Sequence, residues 1–218
     1  MLFRSKGFED VKNLLQPIYS SCELSKLCIM INHGEVDYND LPQCQEGYPQ
    51  YLRIAFRKSQ LEDVLQKVPI MIKKGFRPFL QPMITPCYTK EELSYLIQQA
   101  NALGVYALYL VDSFGVMTMS SLNGLLKSTQ HLLPTIKLGF HSHNNQQLSF
   151  ALAKEFIRKN MNRDVIIDSS ILGMGRGAGN LNTEVIVNHL IQEEAGNYDD
   201  APILQLIDLY FSVYQSQY

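Results

Sequence analysis

Two histidines placed two residues apart, His141 and His143, close the apolar run in Lys137-Leu-Gly-Phe-His-Ser-His-Asn-Asn145. On a strand, successive side chains point to opposite faces, so both imidazoles share one face and Ser142 takes the other. Two imidazoles at a strand's exit can close on one divalent metal, each offering a neutral nitrogen. The alternative is one packed, hydrogen-bonded core histidine and one loop histidine. A metal site needs at least a third ligand, so the pair alone names no metal.

The elements that must position this pair follow from the apolar pattern. Short apolar runs occur at Leu27–Asn32, Leu52–Phe56, Pro78–Met83, Ala107–Asp112, Lys137–His141 and Val165–Asp168. They read as continuous rather than alternating, as expected of strands buried on both faces. Helical patterns separate them. Gln60–Lys74 carries Leu61, Val64, Leu65, Val68 and Ile72 and stops at Gly75. Thr89 and Glu92 form a capping box ahead of Leu93, Leu96, Ile97 and Ala100. Ser120–Leu133 and Asn145–Asn160 follow the same rule, and a further helix starts near Thr183. Strand then helix, repeated, predicts β-α units on a parallel sheet.

Polar residues gather where each strand ends: Asn32-His33, Arg57-Lys-Ser59, Gln81 with Thr85, Asp112-Ser113, the histidine pair, and Asp168-Ser-Ser170. Delivery of polar side chains at every carboxyl end favours a (β/α) barrel. A doubly wound sheet binds only beside its switch point. The expected fold class is therefore α/β, a TIM (β/α)8-type barrel. Such barrels take eight units and about 250 residues, whereas six strands are counted here. The barrel is read as incomplete, with two β-α units missing from the front.

The stretch Gly173-Met-Gly-Arg-Gly-Ala-Gly-Asn180 follows the last strand. Gly173-x-Gly175-x-x-Ala178 formally fits a dinucleotide fingerprint, but that motif belongs to a first β-α turn, and here the strands have run out. A permissive loop whose amides and following helix N-terminus approach an anion is the better reading, and a plain glycine turn is the alternative.

Gly139-Phe-His-Ser-His-Asn-Asn145, then Asp168-Ser-Ser-Ile-Leu-Gly-Met-Gly-Arg-Gly-Ala-Gly-Asn180 with Asn182-Thr-Glu184, closely resemble the DRE-TIM metallolyases. The nearest branch is that of 4-hydroxy-2-oxovalerate aldolase and HMG-CoA lyase, and Val111-Asp-Ser-Phe-Gly115 matches its sixth-strand motif. The resemblance runs from about Ile29 to Leu190. It implies a TIM barrel binding Mn2+ or Mg2+, the six strands here being the third to eighth. It also implies that His141 and His143 are metal ligands and that Asn180 completes or buttresses the metal shell. Ser113 stands where such aldolases contact the carboxylate of pyruvate. Gly175, Gly177 and Arg176 line the substrate side, and Asp112 joins Ser113 as a catalytic candidate.

The implied reaction is aldol cleavage of a small 2-oxo or 4-hydroxy-2-oxo acid, in which a divalent cation stabilises the enolate as a Lewis acid. The superfamily's first-strand Asp-x-x-x-Arg-Asp-Gly-type motif, source of a metal-binding aspartate and a carbonyl-polarising arginine, does not occur in the 218 residues. Residues 1–195 are therefore read as a partial barrel and 196–218 as the start of a C-terminal helical extension. The helical run Pro202–Tyr218 presents Leu204, Ile207, Leu209 and Phe211 to a partner surface. On this reading the chain is an inactive fragment of a longer lyase; a non-catalytic ligand-binding or interaction module from a degenerate barrel is the alternative.

Other residues keep two readings. Lys58 could form a Schiff base, against a solvated or substrate-facing cation beside Arg57. His33 could line the pocket or cap a turn. Asp112 and Asp168 could orient a ligating histidine or cap turns. Arg176 could meet a ligand carboxylate or phosphate, or stand in solvent. His131 and His189 sit in helical contexts and read as structural.

Composition excludes several classes. A formal charge of -2 gives no basic footprint for nucleic acid. No apolar run reaches the roughly 18 residues of a membrane helix, and the N-terminus carries no signal-peptide pattern. Four cysteines (Cys22, Cys28, Cys44 and Cys87) without C-x-x-C spacing read as free thiols of a reducing cytoplasm. The expected partner is a small 2-oxo acid, with homo-oligomerisation of the full-length protein left open.

Overall fold

The computed structural model describes residues 26–45 and 49–211. Six parallel strands follow one another in chain order: β1 (Cys28–Asn32), β2 (Tyr51–Phe56), β3 (Arg77–Pro82), β4 (Ala107–Asp112), β5 (Lys137–Ser142) and β6 (Val165–Ile167). Register pairs such as Ile54 with Leu80 and Val111 with His141 carry the ladder across the sheet. An unbroken sequential order is that of barrel staves; a doubly wound sheet reverses at its switch point.

Helices α1 (Leu61–Lys73), α2 (Lys90–Leu103), α3 (Met119–Ser128), α4 (Ser149–Lys159) and α5 (Thr183–Gln192) follow β2 to β6 in turn. A short α6 (Ala201–Leu206) comes last, continued by a wider turn to Phe211. The predicted helix Pro202–Tyr218 is helical as far as Phe211, and 212–218 lie outside the described residues. Between β1 and β2 the expected helix is replaced by a 3-10 turn, Tyr38–Asp40. Pro42 and Pro49 explain this: each lacks an N–H and clashes with the preceding turn. The strand expected to include Asp168 ends at Ile167.

Local chemistry sets the helix ends. Thr89 Oγ1 accepts from Glu92 N at 3.2 Å and Glu92 accepts from Thr89 N at 2.7 Å, closing the predicted box on α2. Gly104, at φ 62, ends that helix in the left-handed conformation that glycine adopts without steric cost. The predicted helix Asn145–Asn160 begins later, at Ser149, because Asn144 Oδ1 accepts from both Ser149 N and Ser149 Oγ. Ser120–Leu133 stops at Ser128, where Thr129 folds back onto the Leu126 carbonyl.

The sheet's two faces differ. Leu52, Ile54, Leu80, Leu108, Leu110 and Leu138 are fully buried beneath Val64, Val68, Leu96, Ile97, Leu122 and Leu152 of the helices. At about 1.5–3 kcal/mol for each buried aliphatic side chain, this layer supplies the main hydrophobic stabilisation. The alternate residues face the other way. Phe79, Ala107, Tyr109 and Val111 form a separate small cluster with Tyr51, Tyr106 and Ile166. Above that cluster the same face carries Arg53, His141 and Asp168. Cys28, Cys44 and Cys87 are free thiols, while Cys22 lies outside the described residues. No helix among the described residues is long and apolar enough to cross a membrane.

Candidate metal centre at the strand exits

β5 delivers the two histidines as its alternation requires. Ser142 is buried toward the helices, and the His141 and His143 rings meet edge to face, centroids 5.2 Å apart. His141 Nδ1 is 2.9 Å from Asp168 Oδ2, which leaves Nε2 unengaged by that bond. His143 is held differently: its main-chain N donates to the Asp112 carbonyl, and burial, then the neighbouring His141, push its pKa down. A ring that stays neutral keeps a lone pair for a metal.

Asn180 stands opposite. It pairs with His143 through an isolated antiparallel bridge, and its Nδ2 donates to the Met174 carbonyl at 2.9 Å. Its Oδ1 is buried with no hydrogen-bond partner. A carboxamide oxygen in that condition costs about 1–3 kcal/mol unless something fills it. Imidazole nitrogens and a carboxamide oxygen are donor types that suit a divalent cation such as Mn2+ or Mg2+. Among the described residues no group of three His, Cys, Asp or Glu gathers.

Glycines make the approach possible. A Cβ at Gly175 would stand 2.6 Å from Asn180 Nδ2, and one at Gly115, itself at φ 61, would stand 2.8 Å from the His143 carbonyl. Asn145 ties the loops together, donating to the Phe114 carbonyl and accepting from Ala178 N. Gly175, Arg176 and Gly177 are exposed on the loop rim, so Arg176 meets solvent in the absence of a ligand. Ser113 Oγ accepts from Ile84 N at 3.0 Å, which leaves its O–H free to donate. Ile84 itself sits in the left-handed region at φ 55, a conformation that a β-branched residue adopts only under constraint.

Asp112 does not join this group. Its carboxylate accepts from Val116 N and Met117 N, both at 3.0 Å, and caps the turn after β4. Asp112 pairs in register with Ser142, so its side chain shares the helix-facing side. These contacts make Asp112 a turn cap and lend its catalytic reading no support; its main-chain carbonyl accepts from His143 N, and its charge acts on the His143 ring. Asp168 does orient a histidine. His33 does not line the pocket: Tyr38 Oη at 2.8 Å and Asp63 Oδ2 at 2.6 Å bind its two nitrogens and tie the β1 loop to α1. Lys58 pairs with Glu92 at 2.6 Å, away from the histidines. His189 packs on Phe150, and His131 lies in the turn after α3.

Sequence reasoning missed Arg53 and Tyr109. Arg53 Nη1 and Nη2 clasp Asp168 at 2.6 and 3.0 Å, and Nη2 also reaches Tyr109 Oη at 2.6 Å. Burial alone would push the Asp168 carboxyl up, but the His141 hydrogen bond and the Arg53 charge hold it below the ordinary carboxylate range. The available signal was a lone arginine inside an otherwise apolar strand.

A family model described as HMGL-like matches residues 80–209, a span that contains both histidines, Asp168 and the glycine loop. The chain belongs to the HMGL-like family. Among curated proteins it is 27% identical over 175 residues to 4-hydroxy-2-oxovalerate aldolase of Geobacillus stearothermophilus, covering 80% of this chain and 50% of that protein. It is likewise 27% identical over 180 residues to 4-hydroxy-2-oxovalerate aldolase 2 of Comamonas testosteroni, covering 82% and 50%. The chain thus spans about half the length of the curated HMGL-like relatives it matches. Its fold matches the N-terminal domain of a Bacteroides vulgatus protein with TM-score 0.80 at 24% identity, covering 94% of this chain and 68% of that one. It also matches Bacillus subtilis HMG-CoA lyase with TM-score 0.67 at 16% identity, covering 87% and 69%. At these identities the structural likeness concerns the fold alone.

Proposed function

We propose that this chain is the histidine-bearing part of a divalent-metal-dependent carbon–carbon lyase, an aldolase acting on a small 4-hydroxy-2-oxo acid and releasing pyruvate. The observation that carries the reading is the pair of imidazoles on one face, together with a buried, unpartnered carboxamide oxygen on Asn180, the residue bridged to His143. His141, His143 and Asn180 would hold Mn2+ or Mg2+, which when bound supplies Lewis acidity for the negative charge developing on the 2-oxo oxygen as the C–C bond breaks.

The chain's own residues do the rest. Asp168 fixes the His141 ring through Nδ1, and burial of His143 lowers its pKa, which favours the neutral ring. Ser113, whose oxygen already accepts from Ile84 N, directs its O–H to the substrate carboxylate. Gly175 and Gly177 keep the loop backbone open to that anion, and Arg176 on the rim meets a second acidic group.

A second reading has one observation in its favour: among the described residues no third His, Cys, Asp or Glu joins the pair. On it the site binds a 2-oxo acid without turnover. The two separate in a coupled assay of pyruvate release from 4-hydroxy-2-oxo acids, run beside Mn2+ and pyruvate binding. The lyase reading expects, in the full-length protein, Mn2+-dependent release that His143→Ala abolishes. Mn2+-dependent pyruvate binding without release would favour the binding module, and no Mn2+ binding at all would reject both.

A further inference from the structure

We propose that Arg53 is a positioning residue for His141, acting through Asp168, with Tyr109 as its brace and Gly139 as the residue that admits the brace. The consequence for metal affinity rests on the metal reading above; the consequence for the His141 ring does not.

β2 places Leu52 and Ile54 on the helix side and Arg53 on the inner face. A guanidinium there must be paired, because a partly buried charge without a partner is strongly destabilising. Its two terminal nitrogens meet the two oxygens of Asp168 in a fork, the geometry that holds a carboxylate plane in one orientation. Tyr109 Oη accepts from Arg53 Nη2 and donates to Asp168 Oδ1 at 3.2 Å, and the guanidinium carbon lies 4.5 Å from the centroid of the Tyr109 ring. Oδ1 is thereby taken by Arg53 and Tyr109. Oδ2 receives Arg53 Nη1 and faces His141 Nδ1.

With the carboxylate immobilised by donors from β2 and β4, the imidazole on β5 has one orientation in which Nδ1–H finds an acceptor. Nε2 is then left as the lone-pair nitrogen that a metal requires. Gly139 completes the device. A Cβ at that position would stand 2.4 Å from Tyr109 Cε2 and 2.5 Å from Cδ2 and Cζ, so the ring lies flat against the β5 backbone only because position 139 has no side chain. The glycine two residues before the first histidine thus has a reason beyond turn geometry.

A plain staple between β2 and the end of β6 would use the same contacts, so the test needs a readout that stapling does not move. In the full 218-residue chain without metal, at a pH where the ring is neutral, 15N chemical shifts of His141 report which nitrogen carries the proton. Wild type is expected to be the Nδ1–H tautomer. Arg53→Met should give a mixture and weaken Mn2+ binding, followed by the electron paramagnetic resonance signal of the free ion, by about 10–100-fold, the usual loss for a residue supporting a ligand. Arg53→Lys, which keeps charge without the fork, should fall between, and Tyr109→Phe should shift the tautomer ratio in the same direction by less. A wild-type tautomer and affinity in Arg53→Met, with only the melting temperature lowered, would overturn the proposal. Should Arg53→Met not fold, unchanged tautomers in both Arg53→Lys and Tyr109→Phe would overturn it equally. Failure of the wild-type chain to bind Mn2+ would reject the metal reading and leave the tautomer result to decide the role of Arg53.

Discussion

Phe140 and His141 are adjacent on β5 and belong to opposite halves of the molecule. Phe140 is buried toward the helices and stacks on Phe156, centroids 5.1 Å apart, within the apolar layer. His141 looks inward onto Asp168 and His143, and Asp168 is in turn held by Arg53 and Tyr109 through directional hydrogen bonds. The same ladder of strands thus carries two kinds of side-chain surface, one that stabilises by area and one that works by orientation. The outer layer tolerates swaps that conserve volume. In the inner layer the loss of a single hydrogen bond is expected to disturb a side chain's orientation while the chain stays folded.

The largest expected effect is on the outer face. Phe140→Ala should cost about 3–5 kcal/mol of stability, read as a lower denaturation midpoint. A smaller loss there, with metal binding weakened in the folded chain, would erase the division between faces. His141→Ala should leave the denaturation midpoint near that of wild type and remove tight Mn2+ binding, checked by titration calorimetry. The effect should exceed the roughly 10–100-fold typical of losing a supporting residue.

A sharper form of the comparison uses the two aspartates at strand exits. Asp112→Ala deprives two backbone N–H groups of their acceptor and should cost about 1–3 kcal/mol with Mn2+ affinity unchanged. Asp168→Asn should do the reverse, weakening Mn2+ more than it lowers stability. Equal effects of the two on Mn2+ would return Asp112 to the site. At the bottom of the scale, Thr89→Ala removes the α2 cap, for about 1 kcal/mol in denaturation and no change at the histidines.

Much of this was legible in the residues. The six strands could be read from apolar runs closed by polar groups, and the histidine pair from its spacing of two. For Asp112 the missing step was strand parity. Asp112 shares its face with Leu108 and Leu110, so two-residue alternation points it toward the helices, whereas Asp168 shares the face of Ile166. Arg53 was hidden because the run Leu52–Phe56 reads as continuously apolar once its single charge is passed over. Tyr109 offered no local signal, since only a partner 59 residues away, Asp168, gives its hydroxyl a task. The late start of α4 depends on Asn144 and Asn145, whose side chains hold loops together rather than begin a helix.

The central claim, that the inner face ends in one metal centre, is tested most directly by growing crystals with Mn2+ and mapping its anomalous scattering. The account predicts a single strong peak within bonding distance of His141 Nε2, a His143 ring nitrogen and Asn180 Oδ1, with Asp168 still on Nδ1 of His141. A fully occupied manganese elsewhere, with both rings and the Asn180 oxygen free of it, would contradict the account.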